Sequence, residues 1–225
     1  MGMQERVFKE IEVVSVRDKV VAALKDAFFA RKLKPGDLIV ERELARQMNI
    51  GTPAIREALV TLQEQGFVKR IANTATYVSK FTVEEVRQLY QLRMELETLA
   101  LQWAKPRVSE DDLKELDGII EDMAGAARGK KAIEFYNFDL EFHRTCWKLS
   151  GNQFLAQSLD RLVSPLFAFV LNRSEDTVQE ATAREHEQLA NALRNMQDPE
   201  FTDTIRDTLS NFSESGIASF VSQAE

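Results

Sequence analysis

The sequence predicts a mostly α-helical protein: an N-terminal winged helix-turn-helix with a small β-hairpin wing, followed by a C-terminal antiparallel bundle of six helices. Three observations predict this class. Residues 41–59 contain two short helical patterns joined by a tight break, and residues 67–78 contain two strand-like runs. No strand pattern follows residue 80. We therefore expect a first domain at residues 1–80 and an all-helical second domain at residues 81–225.

The N-terminal elements can be assigned in order. Residues 1–14 show no clear periodicity and are interpreted as a mobile arm. Ser15 is a predicted N-cap, and the helix that follows is expected to reach about Lys32. A turn at Pro35-Gly36 leads to a short extended piece, and Gly66 is expected to close the second helix of the helix-turn-helix.

The helix-turn-helix breaks at Asn49-Ile50-Gly51, and Pro53 stands where a first helical turn tolerates its ring. An Arg near the start of the second helix, here Arg56, is typical of a recognition helix in the DNA major groove. The competing interpretation is a surface salt bridge with a neighbouring Glu. A wing lies along the DNA backbone or minor groove, and the predicted wing contacts are Lys69, Arg70 and Asn73.

The second half reads as six helices with recognisable caps. Thr82 with Glu85 forms a predicted capping box, and Ser109 is the next N-cap. The predicted helices end near Trp103, Arg128, Leu149, Asn172 and Gln197; Ser174 caps the fifth, and the sixth opens at Asp198-Pro199.

Charge is distributed unevenly along the chain. Residues 1–80 hold 14 Lys and Arg against 10 Asp and Glu, whereas the remainder holds 15 against 26. A basic domain attached to an acidic one is typical of a DNA-binding module joined to a module of another function. The single cysteine, the lack of a signal-peptide pattern and the lack of a membrane-length apolar run favour a cytoplasmic protein without membrane contact.

Three ligand-type residues fall on or beside apolar helical stripes of the second half. Asp139 and His143 are spaced i, i+4 and share a helix face, and His186 lies on the fifth helix of the bundle. A carboxylate and two imidazoles facing inward suit a divalent metal, with Zn²⁺ expected first and Ni²⁺ or Mn²⁺ as alternatives. A buried His hydrogen-bonded to Asp, with no metal, explains the same residues.

Two further charged residues, Arg93 and Glu97, lie within the apolar stripe of the first bundle helix. Charged groups in such a stripe must be paired or bound to a ligand. Arg93 would suit an anionic effector, with Glu97 and Asn152 as further effector contacts. The alternatives are an i, i+4 salt bridge for the first two and a helix cap for Asn152, of which capping is favoured.

The first-domain motifs resemble the GntR family of bacterial transcription regulators. They are Leu33-x-Pro35-Gly36-x-Leu38, Glu41-Arg42-Glu43-Leu44-Ala45, Arg56-Glu57-Ala58-Leu59 and Gly66-Phe67-Val68. The resemblance implies that Arg42 and Arg56 approach the operator, as base or phosphate contacts. Thr52 replaces a second base-reading Arg of the family, which leaves the operator sequence open.

The second-domain motifs resemble the FCD ligand-binding domain of the FadR subfamily, in its VanR-like branch. They are Arg93-x-x-x-Glu97, Asp139-x-x-Phe142-His143, Gly151-Asn152 and Glu185-His186. The resemblance implies a metal held by an Asp and three His, with a small carboxylate effector against it. Thr208 occupies the place of the third His, and Cys146 is a substitute ligand or, as we favour, a core residue.

The function expected from these patterns is a transcription regulator whose affinity for a palindromic operator responds to a small organic acid. A homodimer is expected because a palindrome needs two readers. The alternatives are an effector-independent, architectural DNA-binding dimer and a metal-dependent helical-bundle enzyme. The sequence lacks both the Glu-x-x-His pairs and the His-Glu-x-x-His motif that such an enzyme would use.

Overall fold

The computed structural model describes residues 15–71, 75–169 and 176–221, and within them it confirms the predicted fold class. Four predictions lie outside the described residues: the arm at 1–14, the wing contact Asn73, the helix end near Asn172 and the cap at Ser174.

The N-terminal part is a winged helix built around a small antiparallel sheet. Its elements are α1 (Val16–Phe29), β1 (Leu38–Ile39), α2 (Glu41–Met48), α3 (Thr52–Glu64), β2 (Val68–Ile71) and β3 (Ala75–Val78). β3 lies between the other two strands, and Leu38 of β1 is in register with Tyr77. The extended piece that the sequence left isolated is therefore the third strand of the sheet.

Local chemistry sets the ends of α1. The Ser15 hydroxyl accepts a hydrogen bond from the backbone N–H of Asp18 at 3.1 Å, as an N-cap should. The helix ends at Phe29, short of the predicted Lys32. The reason is Arg31, whose φ of 55° places it in the left-handed region and turns the chain away from the helix axis.

The recognition helix α3 is closed by the glycine that the sequence indicated. Gly66 has a φ of 77°, and the N–H of Phe67 returns to the carbonyl oxygen of Leu62 at 2.9 Å. The helix starts at Thr52, with Gly51 as N-cap. This start places Thr52 and Pro53 in the first turn.

The C-terminal part is the expected antiparallel bundle, with six helices among the described residues. They are α4 (Val83–Ala104), α5 (Glu110–Arg128), α6 (Ala132–Leu149), α7 (Gln153–Phe169), α8 (Asp176–Asn195) and α9 (Glu200–Val221). Both predicted caps are capping boxes, Thr82 with Glu85 and Ser109 with Asp112. α4 packs against α6, α7 and α9, while α8 packs against α5 and α9.

The core is continuous between the two parts. Three aromatic rings meet where they join: Phe28 of α1 and Phe67 lie 5.5 and 5.9 Å from Phe169 of α7, centroid to centroid. α7 therefore belongs to the bundle and also forms the floor under the winged helix. Among the described residues, no helix combines the length and the apolarity needed to cross a membrane.

Candidate functional site

The structure brings the three predicted metal ligands together inside the bundle. Asp139 and His143 from α6 and His186 from α8 are all buried, and their ligand atoms lie within 4.8 Å of one another. Nε2 of His186 is 3.0 Å from Oδ1 of Asp139 and 3.3 Å from Nε2 of His143. Nε2 of His143 is 3.5 Å from the same carboxylate oxygen.

The tautomer of each imidazole follows from the partner of its Nδ1. Nδ1 of His143 lies 3.0 Å from Oε1 of Glu97, and Nδ1 of His186 lies 2.7 Å from the carbonyl oxygen of Thr182. Both partners can only accept a hydrogen bond, so each Nδ1 carries a proton, and in the neutral form of either ring Nε2 carries the lone pair. The carboxylate and carbonyl thus orient the rings as supporting groups do in metal sites.

This arrangement brings two ring nitrogens and a carboxylate oxygen of Asp139 to the same small volume. Lone pairs that face each other at 3.0–3.3 Å repel unless a proton or a cation lies between them. Burial lowers the pKa of His143, which keeps the ring neutral and able to bind a metal. The donor set is therefore chemically suited to a divalent ion.

Arg93 of α4 reaches the same volume and is itself buried. Its Nη2 donates to Nε2 of His143 at 2.9 Å, and its Nε donates to Oε2 of Glu97 at 2.9 Å. The i, i+4 salt bridge that the sequence offered as an alternative is therefore present. The guanidinium also contacts a predicted metal ligand, so the pair is not isolated from the site.

Glu97 organises the groups around it. Its Oε1 accepts from the indole N–H of Trp147 at 3.0 Å as well as from His143. Burial raises the pKa of this carboxyl, but Arg93 and His143 outweigh burial and lower the pKa to about 2. With both oxygens engaged, the geometry favours a supporting role for Glu97 over the direct effector contact predicted from the sequence.

Tyr90, one turn before Arg93 on α4, is a buried residue that the sequence analysis missed. Its hydroxyl has no hydrogen-bond partner among the described residues, and its electrostatic neighbours include Arg93 and Asp139. Burial raises the pKa of the phenol, so the hydroxyl stays protonated and can donate to a ligand. The sequence signal that could have identified Tyr90 is its i, i+3 spacing from Arg93, which places both side chains on one face of α4.

Three other residues named from the sequence do not join the cluster in the described part of the chain. The side-chain oxygen of Asn152 caps α7 by accepting from the N–H groups of Phe154 and Leu155, each at 3.0 Å, which is the favoured alternative. The Thr208 hydroxyl donates to the carbonyl of the residue one turn earlier at 2.8 Å. Cys146 is buried and lies outside the group of three ligands, as a core residue does.

Three of the predicted DNA contacts, Arg42, Arg56 and Arg70, lie together on the winged helix, whereas Lys69 precedes Arg70 on β2 and points to the other face of the sheet. Arg42, Arg56, Arg70 and Lys69 are exposed, and Thr52 stands at the start of α3. The first three line a groove between the two helices and the wing, together with Glu41.

Glu41 is the acidic partner that the sequence analysis did not name. Its carboxylate accepts from Nε of Arg56 at 2.7 Å and lies 3.8 Å from Arg70. The salt bridge considered as an alternative for Arg56 is thus present in the DNA-free chain. Because Arg56 is exposed, this ion pair is weak and a phosphate can displace the carboxylate.

Comparisons with known proteins cover both parts of the chain. The FCD domain family model matches residues 88–210, and the model described as bacterial regulatory proteins, gntR family, matches residues 16–78. The uncharacterized HTH-type transcriptional regulator YdhC of Bacillus subtilis (strain 168) is 27% identical over 168 residues, which are 74% of this chain and 75% of that protein.

Two Escherichia coli proteins are also similar. The HTH-type transcriptional repressor RspR of strain K12 is 23% identical over 186 residues, 72% of this chain and 82% of the repressor. The solved structure of E. coli McbR/YncC has a TM-score of 0.78 at 21% identity, covering 95% of this chain and 100% of that one. At this identity the structural likeness concerns the fold.

The buried position of Glu97 predicts a large cost for removing its charge. Glu97→Gln leaves the Arg93 guanidinium buried without its counter-ion, and we expect a loss of about 3–5 kcal/mol in the free energy of unfolding. Urea denaturation in the presence of EDTA, followed by circular dichroism, measures this loss.

The matched control is Glu95→Gln on the same helix. Glu95 pairs with Arg206 at 2.9 Å in an exposed ion pair, so its neutralisation is expected to cost about 1 kcal/mol or less. Equal losses for the two variants would contradict the structural role assigned to Glu97.

Proposed function

The chain belongs to the GntR family of bacterial transcription regulators and carries an FCD domain, and on this premise we propose that a small organic acid, bound beside a divalent metal, changes its affinity for DNA. The matched families and relatives are DNA-binding regulators, so the enzyme alternative is set aside. The observation that carries the proposal is the convergence of Asp139, His143 and His186 beside the buried Arg93.

The metal is proposed from the chemistry of the three donors. Asp139, His143 and His186 would hold the ion, with Glu97 and the Thr182 carbonyl fixing the rings. Nitrogen and oxygen donors suit Zn²⁺ first, and Ni²⁺ or Mn²⁺ as alternatives. When bound, the ion supplies a Lewis-acid position for a ligand oxygen, because three protein ligands leave coordination open.

The acid is proposed from the groups beside those donors. Arg93 is a buried cation able to grip a carboxylate through two N–H groups, and the Tyr90 hydroxyl offers a further donor. An anionic ligand would compete with the Glu97 carboxylate and with Nε2 of His143 for the N–H groups of Arg93. Binding would therefore rearrange the hydrogen bonds of the site as well as fill it.

The DNA-binding face is proposed to use the residues named from the sequence. Arg42, Thr52 and Arg56 would meet base edges or phosphates, while Lys69 and Arg70 would follow the backbone along the wing. In a dimer on a palindromic operator, the effector would favour one relative orientation of the two winged helices. The distance between the two half-sites of the operator would then determine which orientation of the dimer binds DNA.

The dimer is proposed to form through the outer face of α4. Leu92, Leu96, Leu99 and Trp103 are spaced by four, three and four residues, which is the spacing of a coiled-coil seam. Leu92 is 50% exposed and Trp103 is 40% exposed. A second copy would cover the stripe with its own, because an interface related by a two-fold axis pairs the same surface on both chains.

Metal and acid binding can be measured on the purified protein by its melting temperature. Ligand at 100 times its dissociation constant adds about 2.7 kcal/mol of stability, so Zn²⁺ should raise the melting temperature and EDTA should reverse the rise. A panel of sugar acids, hydroxy acids, dicarboxylates, aromatic acids and fatty acids should then give a further shift with one class.

His186→Gln should abolish the Zn²⁺ shift, while Glu187→Gln, the exposed neighbour on α8, should keep it. An acid-induced rise in melting temperature that survives EDTA would indicate that the acid binds through Arg93 without a metal. No shift with any acid or metal would favour the effector-independent DNA-binding dimer, to which the Thr208 substitution also points.

DNA contacts can be tested on an operator selected from a random duplex pool. Arg56→Gln should weaken operator binding by about 1–3 kcal/mol and relax the sequence preference at one base position. Lys69→Gln should reduce the slope of log operator affinity against log salt concentration by about one. Arg128→Gln on α5, which removes an equal charge from the bundle, is the control. A loss equal to that of Arg56→Gln would indicate a general charge effect instead of a contact.

The dimer seam predicts the effect of a charge placed on it. Leu92→Glu should convert the dimer to a monomer in analytical ultracentrifugation, since a carboxylate in the seam would be desolvated opposite its own copy. Ile133→Glu, at an apolar position of α6 that is 46% exposed, should leave the dimer intact. A dimer that survives Leu92→Glu would locate the interface on another surface.

A further inference from the structure

One short stretch of α7 touches both the ligand cluster and the winged helix. Pro165, Phe167 and Phe169 are all buried, and they lie within little more than one helical turn. Residues 165 and 169 are spaced i, i+4 and share a face, whereas residue 167 projects from the opposite side. Each face has different neighbours.

Phe167 faces the cluster. Its ring centroid lies 5.3 Å from the guanidinium carbon of Arg93 and 5.9 Å from the ring of His143. On the proposed function, a bound acid would contact Arg93 and a bound metal would contact His143. By contrast, the Tyr90 ring lies 5.9 Å from the guanidinium carbon of Arg93, and the rings of Trp147 and Phe212 lie 6.2 and 5.9 Å from that of His143.

The opposite face of α7 supports the end of the recognition helix. A Cβ added at Gly66 would lie 3.2 Å from Cγ of Pro165 and 3.5 Å from the carbonyl oxygen of Arg161, so backbone and helix are in close contact there. Phe169 packs edge-on against Phe67, the residue that follows Gly66. The chain that closes α3 therefore rests directly on α7.

We propose that Phe167 is a positioning residue that converts occupancy of the cluster into a shift of α7 beneath the recognition helix. The inference rests on the proposed function, because it requires a ligand at Arg93 and His143. Packed interiors transmit displacement since they contain few voids to absorb it. A change in the position of Arg93 or His143 therefore moves Phe167, and Pro165 and Phe169 move with it.

A competing path runs through Trp147 of α6. Its indole donates to Glu97, and its other side lines a groove shared with Glu64 and Gln65 at the end of α3. The groove leaves a space of about 410 Å³ between the elements, whereas Gly66 and α7 are in van der Waals contact. A displacement of Trp147 can be absorbed by the groove, so we assign the coupling to Phe167.

The experiment compares ligand binding with its effect on DNA binding, using the full-length chain. Zn²⁺ affinity is measured by calorimetry, and operator affinity is measured with and without saturating Zn²⁺ and the acid that shifts the melting temperature. Coupling between sites in allosteric proteins is typically about 5- to 150-fold. Phe167→Leu should keep the Zn²⁺ affinity within about threefold of the parent and reduce the coupling factor toward one.

Phe169→Leu, on the other face, should give the same loss of coupling without touching the cluster. Phe154→Leu is the control, because Phe154 lies on the same helix and is 72% exposed. Phe167→Met serves as a second variant if the leucine chain is unstable. Parental coupling in both Phe167 variants, or its loss in Trp147→Phe alone, would overturn the inference.

A second measurement needs no ligand and separates this inference from the proposed function. Glu97→Gln disturbs the cluster directly, so amide hydrogen exchange in residues 59–67 should change by severalfold more in that variant than exchange in α2, which reports the loss of global stability. The change should disappear when Phe167→Leu is added and persist when Phe154→Leu is added. If neither metal nor acid binds, the proposed function fails, and this exchange cycle still decides whether α7 couples the two parts.

Discussion

The buried charge network of Arg93, Glu97 and His143 is the constraint on which the rest of the bundle depends. A charged pair taken out of water is tolerated only when its hydrogen bonds are satisfied. Here α4 supplies the guanidinium and the carboxylate, while α6 supplies the imidazole and the indole of Trp147 that complete them. The two helices are thereby fixed in register as well as in distance.

That register places the other functional groups. With Nδ1 of His143 held by Glu97, its Nε2 lies beside Arg93, Asp139 of its own helix and His186 of α8. The Thr182 carbonyl accepts from Nδ1 of His186 and so directs Nε2 of His186 toward the same cluster. On the proposed function, a cation would bind the ring nitrogens and an anion would bind the guanidinium, so each kind of ligand would relieve a different part of the electrostatics of the cluster.

The junction between the two parts is an aromatic contact. The winged helix rests on α7 through the Phe28, Phe67 and Phe169 rings, so its orientation is tied to a helix of the sensor domain. Among the predicted DNA contacts, Arg56 is held by Glu41 in a weak, exposed ion pair that a phosphate could replace. Tight packing on one side and loose pairing on the other suit a domain that must be positioned precisely enough to read DNA and must still release it.

The sequence by itself determined the fold class, most of the caps and the three candidate metal ligands. These rest on local chemistry: apolar periodicity, capping boxes at Thr82 and Ser109, and the i, i+4 spacing of Asp139 and His143. Local rules were less reliable at helix ends, as at Phe29, where the left-handed Arg31 decides the boundary.

Only the tertiary structure decided how those residues are used. Glu97 lies 46 positions before His143 in the chain, and no spacing rule links it to the Nδ1 atom that it orients or to the indole of Trp147. The same holds for Phe167 and for Glu41 with Arg56, whose partners come from other elements. Contacts between helices depend on how the helices pack. A single sequence shows which face of each helix is apolar, but it does not show which other helix that face packs against.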